Sequence, residues 1–141
     1  MDTEEKTLID DEQQNIADFI ESAKKTIVQL RQDLDLVHSE LIGRERINSL
    51  FRGFHNLKGG AFGLRLPSIR MVTNLVEDIL DLTRSNKIKF DRTVYDLFVD
   101  SVNQVDGIIK NLSEKGIEGE SQQEFVERLN KFLEPYKEIM D

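Results

Sequence analysis

Apolar side chains recur every three or four positions along most of this chain, the spacing that places them on one face of an α-helix. No run of β-branched residues alternates with polar residues in the manner of a half-buried strand. The first apolar stripe covers about residues 10–41, after which Gly43 is a plausible break. Its members are Ile16, Phe19, Ile20, Ala23, Ile27, Leu30, Leu34, Val37 and Leu41.

Two shorter stripes follow this long one. The second predicted helix starts near Arg44, and Pro67 suits the first turn of a third helix, where the missing proline N–H costs little. The apolar positions of the second helix are Ile47, Leu50, Phe51, Phe54 and Ala61. Those of the third are Ile69, Val72, Leu75, Val76, Ile79 and Leu80.

Two polar connectors, SNKIKFD at 85–91 and KGIEGE at 115–120, separate the remaining helices. Asp91 can cap a fourth helix, and Ser121 with Glu124 has the spacing of a capping box that opens a fifth helix over about residues 121–140. The fourth helix contains Val94, Leu97, Phe98, Val102, Val105, Ile109 and Leu112. The fifth contains Phe125, Leu129, Phe132, Leu133 and Tyr136.

The short connectors in the middle of the chain predict that neighbouring helices run antiparallel. We therefore expect an all-α fold, an up-and-down antiparallel four-helix bundle over about residues 10–113 with an additional C-terminal fifth helix beside it. Its core should include Phe54, Val72 and Leu97. Residues 1–9 are acidic and are expected to be frayed, so that the domain covers residues 10–141.

Composition removes several classes of function. The chain has 141 residues, a net charge of −8 and no cysteine. Nonspecific nucleic-acid binding is therefore disfavoured, and neither a disulfide framework nor a thiolate zinc site is possible. No apolar run reaches the roughly 20 residues that cross a bilayer. The acidic N-terminus does not resemble a secretory signal, so we expect a cytoplasmic protein without membrane insertion.

The familiar catalytic motifs are also missing from the sequence. Neither His38 nor His55 has a glutamate three residues before it, as a di-iron bundle requires. No P-loop and no G-x-S-x-G elbow occurs. His38 is most simply a surface histidine near the end of the first helix. A small enzyme that binds a metal or another ligand would therefore lack its ligands.

Basic residues are concentrated in one window of this acidic chain. Residues 44–70 hold six basic side chains and one acidic one, a local charge of +5. An ordinary solvated helix face would account for that charge. The same window, however, contains the stretch GFHNLKGGAFG at 53–63.

The two adjacent glycines in this stretch need an explanation. On a helical wheel His55 lies at the margin of the apolar face, Lys58 is its neighbour, and Gly59 lies one turn below it. Each glycine costs about 1 kcal/mol relative to alanine inside a helix. Close helix packing or a helix end would explain the glycines, and so would access to the imidazole. From the residues alone, a packed histidine and an exposed reactive one are equally favoured.

The motif HNLKGGA resembles the H-x-x-K-G-(G/S)-A motif of the histidine-containing phosphotransfer (HPt) family. Within that family, the chain is similar to the N-terminal P1 domains of CheA-type chemotaxis histidine kinases. The pattern continues without gaps over residues 50–84 and includes Glu77. The resemblance covers about residues 10–113, and the fifth helix also matches the CheA type.

This resemblance implies roles for individual residues. His55 would be the phosphorylation site, and Glu77 would accept a hydrogen bond from its ring and fix the tautomer. Lys58 would pair with phosphoryl oxygens, and Gly59 would leave room for them. Asn74 stands where well-known CheA domains have a second histidine; it can form hydrogen bonds but cannot titrate.

Arg65 is the second departure from the family pattern, since it replaces a glycine that is usual near the end of the second helix. The change alters the local surface, where a receiver or kinase domain would make contact. It leaves the transfer chemistry untouched.

The resemblance also implies partners. The domain would accept a phosphoryl group from the ATP-binding domain of a histidine kinase and pass it to the receiver aspartates of response regulators. It would hold no cofactor or metal itself, since the kinase domain supplies ATP and Mg²⁺ and the receiver supplies its own Mg²⁺. It would not be an enzyme alone but part of a CheA-type kinase. The alternative is a non-catalytic helical module that only docks receivers; the intact His55, Lys58, Gly59 and Glu77 argue against it.

Overall fold

The computed structural model describes residues 2–37 and 44–140, and these ranges contain helices but no strand. Their order is α1 Thr3–Val37, α2 Arg44–Ala61, α3 Pro67–Arg84, α4 Arg92–Lys115, α5 Gln123–Leu133 and a final 3₁₀ helix, Glu134–Ile139. The prediction of an all-α fold is confirmed. The predicted end of the first helix at Leu41, the break at Gly43 and the surface position of His38 lie outside the described residues.

Four helices surround one apolar core. Helix α1 packs against α2 and α4, and α3 packs against the same two helices. Phe54 and Val72 are fully buried, and Leu97 is 3% exposed. Helix α5 packs on the outside of this bundle, against α3. The predicted four-helix bundle with an additional fifth helix is therefore correct.

Helix α1 begins at Thr3, earlier than the predicted start near residue 10. The Asp2 carboxylate accepts a hydrogen bond from the backbone N–H of Glu5 at 2.8 Å, and Glu4 and Glu5 lie in the first turn. A capping carboxylate and acidic side chains both stabilise a helix N-terminus. These first turns are exposed and are held by local interactions rather than by burial. Fraying of residues 1–9 stays a prediction.

The interface between α1 and α2 contains a buried carboxylate. Asp33 is fully buried and accepts hydrogen bonds from Ser49 Oγ at 2.5 Å and from Gln29 Nε2 at 3.2 Å. Arg46 Nη1 lies 3.4 Å from the same carboxylate and supplies a positive charge. A buried charge needs such partners, so this cluster restricts how α2 can sit on α1.

The N-terminus of α3 is capped by a residue that is distant in sequence. Its own N-cap residue, Leu66, has no side chain that can accept a hydrogen bond. The carboxylate of Glu118, in the connection between α4 and α5, accepts from the backbone N–H groups of Ser68 at 3.1 Å and Ile69 at 3.0 Å. Glu118 thus satisfies two of the free N–H groups at the start of α3.

The caps predicted from the sequence have different outcomes. Asp91 caps α4 as predicted, accepting from the backbone N–H of Val94 at 3.0 Å. The predicted capping box of Ser121 and Glu124 is wrong. Helix α5 starts one residue later than that box requires, with Gln122 as its N-cap, and Ser121 Oγ accepts from the Gln123 N–H instead.

The fifth helix also ends before residue 140. Helix α5 stops at Leu133, and a 3₁₀ helix with Pro135 in its first turn continues the chain. Proline lacks an N–H and its ring collides with the preceding helical turn. Apolar residues keep a helical spacing beyond Leu133, and for this reason the predicted helix is too long.

Candidate functional site

His55 lies on α2 with 61% of its side chain exposed, and its ring is bonded to a buried carboxylate. Nδ1 is 2.6 Å from Oε1 of Glu77 on α3. Glu77 is only 5% exposed. The packing of α2 against α3 thus joins two residues that are 22 positions apart in sequence. The predicted geometry, an accessible imidazole with Glu77 within hydrogen-bond reach, is confirmed.

This contact determines which ring nitrogen can react. An ionised carboxylate can only accept hydrogen bonds, so the Nδ1 atom of His55 must carry the proton that lies between the two groups. In the neutral ring the lone pair is then on Nε2. Glu77 therefore selects the tautomer in which Nε2 is the nucleophilic nitrogen.

Lys58 forms a contact that the sequence analysis did not predict. Its ammonium group forms an ion pair with Oε2 of Glu77, and its side chain is 31% exposed. The lysine and the imidazole therefore bind the two oxygens of one carboxylate. A buried carboxylate is costly without a partner of opposite charge, and Lys58 is that partner. Contact between Lys58 and phosphoryl oxygens stays a prediction.

The two adjacent glycines have separate explanations. A Cβ on Gly60 would lie 2.8 Å from the ring of Phe19 on α1, so Gly60 permits close packing of α1 against α2. A Cβ on Gly59 would meet nothing within 4 Å. Packing therefore does not require Gly59, which leaves open space one turn from His55. The packing explanation is confirmed for Gly60, and access to the imidazole stays a prediction for Gly59.

An open groove runs beside this site between the end of α2 and the start of α3. Phe62 is 70% exposed and Met71 is 52% exposed. The Arg70 guanidinium lies 4.8 Å from the centre of the Phe62 ring. Asn74 is exposed within the groove. The lining residues are Lys58, Gly59, Phe62, Pro67, Arg70, Met71 and Asn74.

Arg65 occupies the turn between α2 and α3 in a left-handed backbone conformation, with φ of 58°. Glycine adopts this conformation without steric cost, whereas other residues rarely do. The backbone therefore explains why glycine suits this position, and the substitution changes the turn itself as well as its surface.

Two residues of the site were not identified from the sequence as functional. The Phe51 ring is nearly parallel to the His55 ring, at 13°, with 5.9 Å between ring centres. Arg84, at the end of α3, lies 4.0 Å from the centre of the Phe51 ring. Phe51 was assigned only to the apolar face of α2. The position of Phe51 one helical turn before His55 was the sequence signal that could have indicated this ring contact.

The described part of the chain contains neither a candidate metal site nor a helix that could span a membrane. Within residues 2–37 and 44–140, no group of three or more histidine, cysteine, aspartate or glutamate side chains could hold a metal ion. In the same part of the chain, no helix combines the length and apolar character needed to span a bilayer. The polar cluster around His55 therefore consists of a histidine, a carboxylate and a lysine.

Comparison with known families agrees with this geometry. The family model of the Hpt domain matches residues 14–114, which include the whole His55 cluster. The chain belongs to the Hpt domain family. The match ends at the last turn of α4, so α5 lies outside it.

Its relatives include a chemotaxis protein and a sensor histidine kinase. Chemotaxis protein CheA of Treponema pallidum (strain Nichols) is 29% identical over 118 residues, which are 84% of this chain and 14% of that protein. Sensor histidine kinase CheAY of Helicobacter pylori (strain ATCC 700392 / 26695) is 27% identical over 108 residues, which are 77% of this chain and 13% of that protein. The chain thus matches only a small part of each relative's length.

A solved structure has a similar fold. The phosphorylated P1 domain of CheA3, crystallised in complex with CheY6 from R. sphaeroides, superimposes with a TM-score of 0.78 and 15% sequence identity. The match covers 87% of this chain and 98% of that one. At this identity the likeness concerns the fold alone. Because it extends over most of the present chain, the fold of this Hpt domain is that of a P1 domain.

Proposed function

We propose that this domain is the phosphotransfer module of a CheA-type chemotaxis kinase. His55 accepts a phosphoryl group from the kinase's ATP-binding domain and donates it to the receiver aspartate of a response regulator. One observation carries the proposal: an exposed imidazole has its Nδ1 bonded to a carboxylate that is itself buried. A histidine that only stabilised the fold would not need its other nitrogen open to solvent.

The first transfer uses the tautomer that Glu77 selects. Nε2 of the neutral ring attacks the terminal phosphorus of ATP; the new N–P bond forms as the bond to the ADP oxygen breaks. The ring then carries positive charge, and its Nδ1–H remains bonded to the Glu77 carboxylate. That bond strengthens as the charge develops, since hydrogen bonds between charged groups are stronger than neutral ones.

The second transfer reverses the chemistry at the ring. A carboxylate oxygen of the receiver aspartate attacks phosphorus, the N–P bond breaks, and Nε2 regains its lone pair. Phosphoryl transfer depends mainly on positioning and charge neutralisation, so the partners' own metal sites can supply the remaining requirements. ATP and Mg²⁺ belong to those partners in this proposal, and the domain works with them in the cytoplasm.

The other residues of the cluster support this transfer. Lys58 neutralises Glu77 and, from the edge of the groove, can reach phosphoryl oxygens. Gly59 leaves open space for a partner one turn from His55, and Asn74 offers that partner a hydrogen-bonding group. The presence of CheY6 in the structure of the related P1 domain supports a receiver as one such partner. The exposed Phe62 and Met71 extend the same surface.

The test is phosphorylation of purified variants by a CheA kinase core with ATP, each variant being checked by thermal melting. His55→Gln should abolish an acid-labile, base-stable phosphate, and His38→Gln, the matched control, should retain it. Glu77→Ala should slow the reaction without abolishing it. Lys58→Ala should slow it by roughly tenfold or more, since a charged hydrogen bond contributes about 1.5–3 kcal/mol.

Three results would contradict the proposal. Phosphate that persists in His55→Gln would place the acceptor elsewhere. Receiver binding by a folded wild-type domain that no kinase core phosphorylates would favour the non-catalytic docking module. Equal losses in His55→Gln, Glu77→Ala and Lys58→Ala, accompanied by unfolding, would instead assign the cluster a structural role.

A further inference from the structure

A second set of contacts holds the reactive ring, independent of Glu77. Phe51 and His55 lie one turn apart on α2, with their rings within 13° of parallel and their centres 5.9 Å apart. Phe51 is half-buried and packs against the bundle core. The guanidinium of Arg84 lies 4.0 Å from the Phe51 ring centre, and Arg84 is paired with Asp81 at 2.8 Å. The aromatic contact therefore links His55 to the end of α3.

We propose that Phe51 is a positioning residue for His55. Its ring, held in place by Arg84, restricts the imidazole to the orientation in which Nδ1 faces Glu77 and Nε2 faces solvent. This inference rests on the proposed role of His55 as the phosphoryl acceptor, and it adds two residues to that site.

A hydrogen bond to Glu77 is not sufficient to fix this orientation. The bond restrains only the Nδ1 atom, so the plane of the imidazole can still rotate about it. The terminal side-chain torsion of histidine has broad energy wells, so it does not fix the ring plane either. The side chain is also 61% exposed, so little else limits its movement. The nearly parallel Phe51 ring restrains the plane of the imidazole. Together the two contacts define both the direction of Nδ1 and the plane in which Nε2 meets phosphorus.

Arg84 gives the Phe51 ring its own support. A guanidinium over an aromatic face is attracted by the negative charge of that face. Arg84 is itself held by Asp81 on the same helix, so the ring is restrained from α3 as well as from the core. Since Glu77 is also on α3, this helix restrains the imidazole through two separate routes.

The test compares a substitution that removes the ring with one that keeps it. Phe51→Leu preserves an apolar side chain without a flat face, and Phe51→Tyr preserves the face. Phe132→Leu is the matched control, because Phe132 is also half-buried and pairs with a ring four residues later, that of Tyr136 at 6.0 Å, away from the His55 site. Arg84→Gln removes the support and leaves the core intact. Each free domain is examined by ¹⁵N NMR of the imidazole and by phosphorylation with phosphoramidate, a small donor that needs no kinase.

We expect Phe51→Leu to raise the population of the other neutral tautomer and to slow phosphorylation by roughly three- to tenfold, the effect of losing one favoured torsional well. Phe51→Tyr should retain the wild-type tautomer population and rate, and Phe132→Leu should change neither. Arg84→Gln should change the tautomer population and the phosphorylation rate in the same direction as Phe51→Leu, but by a smaller amount. It also serves as the test if Phe51→Leu fails to fold.

The two readouts separate this inference from the proposed function. A tautomer change in Phe51→Leu, in a domain whose wild type is never phosphorylated, would support positioning and defeat the phosphotransfer role. Wild-type tautomer populations and rates in both Phe51→Leu and Arg84→Gln would overturn the positioning role. Equal effects of Phe51→Leu and Phe132→Leu would also overturn it.

Discussion

Replacing Gly59 and Gly60 by alanine, one at a time, should change stability in opposite directions. Both residues lie in the last turn of α2, and both substitutions improve helix propensity by up to about 1 kcal/mol. They differ in what the new methyl group meets. At Gly59 it meets nothing within 4 Å, whereas at Gly60 it would lie 2.8 and 2.9 Å from two carbons of the Phe19 ring.

These distances set the expected magnitudes. Gly59→Ala should stabilise the domain by about 0.5–1 kcal/mol, the propensity gain reduced by its place near a helix end. Phe19 is buried, with 7% exposure, so its ring cannot simply move into solvent. Overpacking of this kind costs about 1–3 kcal/mol, which exceeds the propensity gain at Gly60. Gly60→Ala should therefore destabilise the domain by up to about 2 kcal/mol.

Urea denaturation of the two variants beside the wild type measures the difference directly. For a domain of this size, 1 kcal/mol corresponds to about 3–4 °C in Tm, so thermal melting should separate the two variants by several degrees. Phe19→Leu combined with Gly60→Ala is the matched control, because a smaller side chain on α1 should recover part of the loss. Similar destabilisation by both alanines would refute the assignment of separate roles.

The same pair separates stability from transfer. If Gly59 leaves room for a partner, Gly59→Ala should slow phosphorylation by a kinase core by roughly tenfold, since one methyl group at a fitted contact changes binding by about 1–3 kcal/mol. Phosphorylation by phosphoramidate should change less, because this donor is small. A more stable variant with an unchanged rate from the kinase would show that the space beside His55 is unused.

Two further predictions concern carboxylates of the fold. Glu118→Ala should cost about 1 kcal/mol by uncapping α3, and Glu120→Ala, in the same connection, should cost nothing measurable by urea denaturation. Burial, together with nearby Asp81, raises the pKa of Asp78 above 3.8, although Lys58 opposes this. Asp78 therefore binds its proton more tightly in the folded state, and its ionisation lowers stability as pH rises through that raised pKa. Asp78→Asn should stabilise the domain at pH 7, and the gain should vanish below pH 3.8; a gain that persists there would contradict this cause.

The sequence by itself determined the helices of the bundle and indicated the candidate phosphoryl acceptor. The three- and four-residue spacing of apolar residues located all four bundle helices, because the buried face of an amphipathic helix appears as this spacing in the sequence. Asp91 was recognised as a cap because its hydrogen bond reaches only three residues ahead. The family motif around His55 indicated that Glu77 lies within reach of its ring, and the structure shows this contact.

Only the tertiary structure decided how the helices support one another. Glu118 caps α3 across a separation of 50 residues from Ser68, and no local signal announces a cap at that distance. The Ser121 capping box failed for the opposite reason: its spacing was correct, but helix α5 starts one residue too late to use it.

The difference between what the sequence predicts and what the tertiary structure decides is greatest within the site. The sequence predicted that a histidine, a lysine and a carboxylate share the site. It did not predict that Lys58 would bind Glu77, or that the Phe51 ring would stack nearly parallel to the His55 ring. Gly59 and Gly60 are identical residues at neighbouring positions, and only the close approach of Phe19 distinguishes them. The spacing of apolar residues indicates which face of a helix is buried. Which side chains meet is decided by the rotation and separation of the packed helices, and that rotation and separation depend on the whole core.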